Sequence, residues 1–143
     1  MNRMTLLGVM AVLALGATQA TWADDKPEAG PLKVVVHVNV PEPGTQGAGL
    51  KNVTNLLKEA SDTQVEVVCH GAGIGLVEKA RTDHAEAVEA LIKKGGRFVA
   101  CENTMRQKSV RKEDLLPGVG TVPSGAVEVV RKQQKDGYAY FKP

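Results

Sequence analysis

Aromatic side chains make up only 3% of this 143-residue chain. They are Trp22, Phe98, Tyr138, Tyr140 and Phe141, too few and too clustered to interleave with basic residues as a single-strand nucleic-acid binder requires. Charge of one sign is lacking as well. The formal net charge is +2, which gives no global attraction to a polyanion, so nucleic acid is not expected as a partner. Cysteine occurs twice, at Cys69 and Cys101, with no Cys-x-x-Cys pair, and that absence counts against a paired-thiol zinc site or a thioredoxin-type motif. No second long apolar run follows Leu6 to Ala17. That first run is too short to cross a bilayer comfortably, so stable membrane insertion is not expected. Serine-hydrolase chemistry has no motif either, because Ser124 stands in Pro-Ser-Gly, a helix start, and not in a Gly-x-Ser-x-Gly elbow.

What is present begins with an export signal. Arg3 supplies a positive start, Leu6 to Ala17 an apolar middle, and Thr21-Trp22-Ala23 a small-residue cleavage site, with Ala20 as the alternative. Residues 1–23 are read as a signal peptide and the product as periplasmic. Removing 23 residues of the 143 leaves 120, the length of one domain with a single core. Residues 24–31, charged and interrupted by Pro27, Gly30 and Pro31, read as a flexible lead, and residues 32–143 as one α/β domain.

Strand and helix patterns alternate through that domain. Leu32 to Val40 is β-branched and almost continuously apolar, as in a strand covered on both faces, and Pro41-Glu42-Pro43-Gly44 reads as its stop. Leu50, Val53, Leu56, Leu57 and Ala60 recur at helical spacing. A strand over 64–70, a helix over 83–94 and a strand over 97–101 follow. A short helix, a strand near 119–122, a helix over 126–135 and a last strand at 138–141 complete the chain. The alternation predicts a flavodoxin-like three-layer domain with a mainly parallel, about five-stranded sheet. In a doubly wound order of that kind the strands bearing Cys69 and Cys101 flank the first strand. They would then stand about 9–10 Å apart, beyond the ~7 Å α-carbon reach of a disulfide, so both thiols are expected free.

Cys101 ends the apolar run Phe98-Val99-Ala100 where helical residues begin. A thiol there meets the positive end of a helical turn, and with Arg106 one turn on, the thiolate is favoured. Cys101 is therefore the candidate nucleophile, although a free cysteine is more commonly a small buried hydrophobe. His70, Asn103, Thr104 and Arg106 are candidate substrate-binding residues, Asn103 and Thr104 doubling as helix caps. His37, mid-strand, reads as a satisfied core residue. The loop His70-Gly71-Ala72-Gly73-Ile74-Gly75 lacks the context of a dinucleotide fingerprint and reads as turns that need positive φ. Cys69, His70 and Cys101 are too poorly spaced to chelate, so no metal and no cofactor is expected.

The chain resembles the DsrE-like family of small α/β sulfur-relay proteins. The resemblance rests on Val-Val-Val-His-Val-Asn, on His70-Gly71-Ala72-Gly73, on Phe-Val-Ala-Cys-Glu-Asn-Thr-Met-Arg, and on Leu-Leu-Pro-Gly-Val-x-x-Val-Pro-Ser-Gly-Ala-Val-Glu. It implies that Cys101 takes up sulfane sulfur as a persulfide and passes it to another thiol, and that the chain assembles into a ring-like homo-oligomer. A sulfur donor and an acceptor thiol or protein are then the expected partners. The export signal departs from the cytoplasmic members. Two other readings stay open, a binding or assembly module of the same fold and a thiol-disulfide redox protein using Cys69 and Cys101.

Overall fold

The computed structural model describes residues 31–143; the expected signal peptide and nearly all of the expected lead lie outside them. Five strands form one parallel sheet in the order β4-β3-β2-β1-β5, with β1 at Lys33–Val38, β2 at Gln64–Cys69, β3 at Arg97–Cys101, β4 at Gly120–Val122 and β5 at Ala139–Phe141. The α-helices are α1 (Pro43–Glu59), α2 (Ala85–Lys93), α3 (Glu102–Lys108) and α4 (Gly125–Asp136), with short 3-10 turns at Gly71–Val77 and Lys112–Asp114.

The expected class of fold is present, and the strand order is corrected. β2, not β1, is central, and the strands of Cys69 and Cys101 are neighbours, with Cys69 registered on Ala100. Three successive crossovers step from β1 to β4 in one direction, so right-handed connections put α1, α2 and α3 on one face. The link from β4 to β5 runs back across the whole sheet and lays α4 on the other. Two cores result. Val34, Val36, Val38, Val67, Cys69, Phe98 and Ala100 meet Leu50, Val53, Val88, Leu91 and Met105 on the first face. Val35, Val68, Val99 and Val122 meet Val129 of α4 on the second.

Local chemistry explains the boundaries that differ from those expected. Pro43 is the first residue of α1 rather than part of a strand stop, a position where a missing N–H costs nothing and the fixed φ suits the helix. The glycine loop after β2 coils into a 3-10 turn. Gly71 has φ +56°, and a Cβ on Gly73 would stand 2.3 Å from the Val38 carbonyl oxygen, so this turn packs directly onto the end of β1. Ser124 caps α4 by accepting from the Val127 N–H at 3.5 Å, and Gly137 closes it in the left-handed conformation.

The amino end of the second face holds buried charge. Glu66, 1% exposed, meets Lys132 Nζ of α4 at 3.1 Å and Arg97 Nε at 3.3 Å. Burial raises the Glu66 pKa, as does its contact with Glu128, while Lys132 and Arg97 act against the rise. Glu128 is in turn held by Arg131 at 2.6 Å.

Candidate functional site

Cys101 is the last residue of β3 and the N-cap of α3. β3 alternates, so Phe98 and Ala100 face the first core and Val99 and Cys101 the second. At that point the start of α4 arrives. A Cβ on Gly125 would lie 2.9 Å from His70 Cβ and 3.2 Å from Cys101 Cβ, and only a glycine lets the helix backbone come this close. The Gly125 N–H thereby reaches the sulfur. Burial, with Cys101 4% exposed, would push the thiol pKa up. Against it stand hydrogen bonds from the Gly125 N–H, the Thr104 N–H and hydroxyl, and the Asn103 N–H, and together they hold it below the ordinary thiol value.

Thr104 ties this cradle together. Its hydroxyl accepts from the Gly71 N–H at 2.9 Å, which leaves its own proton for the sulfur. Asn103 contributes through its backbone, and that N–H also lies 3.3 Å from the Pro123 carbonyl. Its side chain accepts from Arg106 Nη2. Arg106 is exposed, and the groups that chiefly stabilise the thiolate are short-range donors, the N–H groups of Gly125, Thr104 and Asn103 and the Thr104 hydroxyl. The basic segment beyond is partly neutralised, since Arg111 pairs with Asp114 at 2.9 Å and Glu113 at 3.1 Å.

Cys69 is fully buried in the first core, and burial pushes its thiol up to about 12. Both cysteines are free, for a different reason from the one expected. Their strands are adjacent, but Cys69 faces the first core and Cys101 the second, with the sheet between them. The three-group set Cys69, His70 and Cys101 is therefore not gathered at one point, and no cluster of three potential metal ligands exists among the described residues. A stability consequence follows for Cys69. Its folded pKa lies above the unfolded value, so its contribution is complete below about pH 9 and is lost as pH rises toward 12. A three-unit displacement amounts to about 4 kcal/mol. Chemical denaturation of wild type and Cys69→Ala across that window is expected to show a gap that shrinks with rising pH; parallel curves would contradict it.

His70 lies just past β2 on the second face, beside Cys101. Two residues not expected at the site join it, His37 of β1 and Tyr140 of β5. The His37 ring is bonded to Tyr140 Oη at 2.8 Å and faces the His70 ring. His37 is half-buried, not a core residue. Burial lowers the pKa of both histidines; for His37 the neighbouring His70 and Lys142 lower it further. Strand parity carried the signal, since His37 shares the face of Val35 and His70 that of Val68. The pairing of β1 with β2 was the missing piece.

Residues 33–143 match the DsrE/DsrF-like family. The chain belongs to that family. Membership of that family suggests function of the sulfur-relay type. A solved structure of similar fold is the protein of unknown function MTH1491 from Methanobacterium thermoautotrophicum, 32% identical with a TM-score of 0.74, covering 78% of this chain and 99% of that one. The ychN protein from E. coli shares the fold at 13% identity and a TM-score of 0.67, with the same coverage of 78% and 99%. Among curated proteins nothing matches.

Proposed function

We propose that this DsrE/DsrF-like protein handles sulfane sulfur, Cys101 accepting it as a persulfide and passing it to a second thiol. The observation that carries the reading is the place of Cys101, the N-cap of α3 with the glycine start of α4 against its Cβ, where nearby N–H groups and the Thr104 hydroxyl lower its pKa. Such donors favour thiolate, the form that attacks a sulfur–sulfur bond, and they suit a terminal persulfide anion equally. At 4% exposure the site favours narrow donors such as polysulfide or an extended persulfide over a folded partner's disulfide. Asn103 and Thr104 serve as donors to bound sulfur, His70 lies beside it, and Arg106 remains a candidate for guiding anions from outside.

Treating reduced protein with polysulfide and weighing it intact tests the proposal. A gain of one or more sulfur masses, mapped by peptide to Cys101 and reversed by a thiol reductant, is expected. An unchanged mass would leave a binding module as the better reading. Export belongs to the same proposal: the N-terminus of secreted material is expected at Asp24, and material that retains Met1 would sink that part alone.

A further inference from the structure

The second face ends in a hydrogen-bonded line that the cradle around Cys101 does not use. Tyr140 Oη lies 2.8 Å from His37 Nδ1, and His37 Nε2 faces His70 Nε2 in a further hydrogen bond. The two rings lie nearly in one plane, centroids 4.7 Å apart and planes 10° apart, and meet edge to edge through these nitrogens. Two facing ring nitrogens share one proton, so the tautomers of the two histidines are locked together. When Tyr140 donates to His37 Nδ1, the His37 proton sits on Nε2, His70 accepts it there, and His70 carries its own proton on Nδ1. The opposite polarity leaves His70 Nδ1 bare. That nitrogen is thus a donor in one state and an acceptor in the other. The Cβ atoms of His70 and Cys101 flank the same point at Gly125, 2.9 and 3.2 Å from where its Cβ would stand, and Tyr140, 44% exposed, puts the outer end of the line in water.

We infer that His70 moves the proton of Cys101, and that His37 and Tyr140 are positioning residues which fix its ring and set which nitrogen is bare. The inference rests on the persulfide reading and deepens it. In the loading step the Cys101 thiol and a donor R–S–SH become Cys101–S–SH and R–SH. A bond forms between the Cys101 sulfur and the outer, sulfane sulfur of the donor as the donor's own sulfur–sulfur bond breaks, and the electron pair of that bond leaves on R–S⁻. His70 Nδ1 takes the thiol proton, directly or through one water, and returns it to R–S⁻. Nothing is oxidised overall. The groups facing the line are Lys142 beyond β5, toward His37, and Cys101 toward His70. α4 presents Gly125 at this end, and its Lys132 engages Glu66 at the opposite end of the sheet.

The test measures sulfur uptake from polysulfide by intact mass against pH, from about 5 to 9 around the histidine range. His70→Asn is expected to slow uptake about 100-fold, within the usual contribution of a positioned acid-base group. Tyr140→Phe and His37→Phe, which keep the rings and remove the hydrogen bonds, are expected to slow it about tenfold and to displace the acidic limb of the profile. Tyr140→Phe at an exposed position also serves if His37→Phe fails to fold. Wild-type rates and an unmoved profile in the Tyr140 variant would overturn the inference while leaving sulfur uptake intact. The same series run with iodoacetamide separates the two ideas. A wild type that takes up no sulfur, yet shows an alkylation profile that shifts in Tyr140→Phe, would remove the persulfide reading and keep the line.

Discussion

Cys101→Ser is expected to take up no sulfur at all from polysulfide, while Cys69→Ser keeps most of the wild-type capacity. Serine preserves the size of the side chain and its place among the N–H donors, but its oxygen neither ionises near neutral pH nor forms the sulfur–sulfur bond that stores the cargo. Cys69 cannot substitute. With a thiol pushed up to about 12, only about one molecule in 10⁵ carries that thiolate at pH 7, and it faces the first core on the far side of the sheet. Thr104→Val provides a graded control. Losing the hydroxyl donor removes one of the groups that lower the Cys101 pKa, so alkylation at neutral pH should slow and recover at alkaline pH. Sulfur mass found on the Cys101→Ser protein, or lost with Cys69→Ser, would move the chemistry to the other thiol.

The second large effect is on stability. Lys132→Met should destabilise the fold by about 3 kcal/mol at neutral pH, because it leaves the Glu66 carboxylate buried with only Arg97 opposite it. The sign of the pH dependence is fixed by Glu66. With Lys132 gone and only Arg97 left, its folded pKa rises further above the unfolded value, so the deficit is full where Glu66 must ionise and shrinks as pH falls and the carboxyl protonates. Pairing Lys132→Met with Glu66→Gln should recover much of the loss, since no charge is then stranded. Urea titrations at pH 8 and pH 5 measure both claims. A deficit equal at the two pH values would show that packing of the lysine chain, not its charge, is what α4 requires.

The sequence carried the element order because β-branched runs, helical periodicity and glycine stops each have a local cause. Pro43 escaped because its two roles, ending a strand and beginning a helix, look the same in one dimension. Cys101 was legible from a strand-to-helix junction. The donors that lower its pKa were legible only in part: Asn103 and Thr104 follow it directly, whereas Gly125 comes from a distant helix. In β2 and β3 both faces are buried, so Phe98 to Cys101 reads as an unbroken apolar run and Val65 to Cys69 is interrupted only by Glu66, itself buried in ion pairs. Glu66 shares the face of Val68 but is as buried as its neighbours, so no solvated residue in either strand marked which way each cysteine points. The opposition of Cys69 and Cys101 and the meeting of His37 with His70 both depend on strand order and register, which are long-range facts.

Gly125 also changes how a related sequence should be searched. A cysteine at a strand end is a common accident, and alone it marks little. Here the Cys101 side chain lies against the start of a helix that sets out from the neighbouring strand β4 toward the opposite edge of the sheet, and that helix fits only where its first residue has no side chain. A protein that retained the cysteine but carried alanine or anything larger at the second position would have its helix held away and one donor missing. The informative signature is thus a pair of letters far apart in the chain. Variation at the glycine would be an early sign that a lineage had given up the chemistry while keeping the fold.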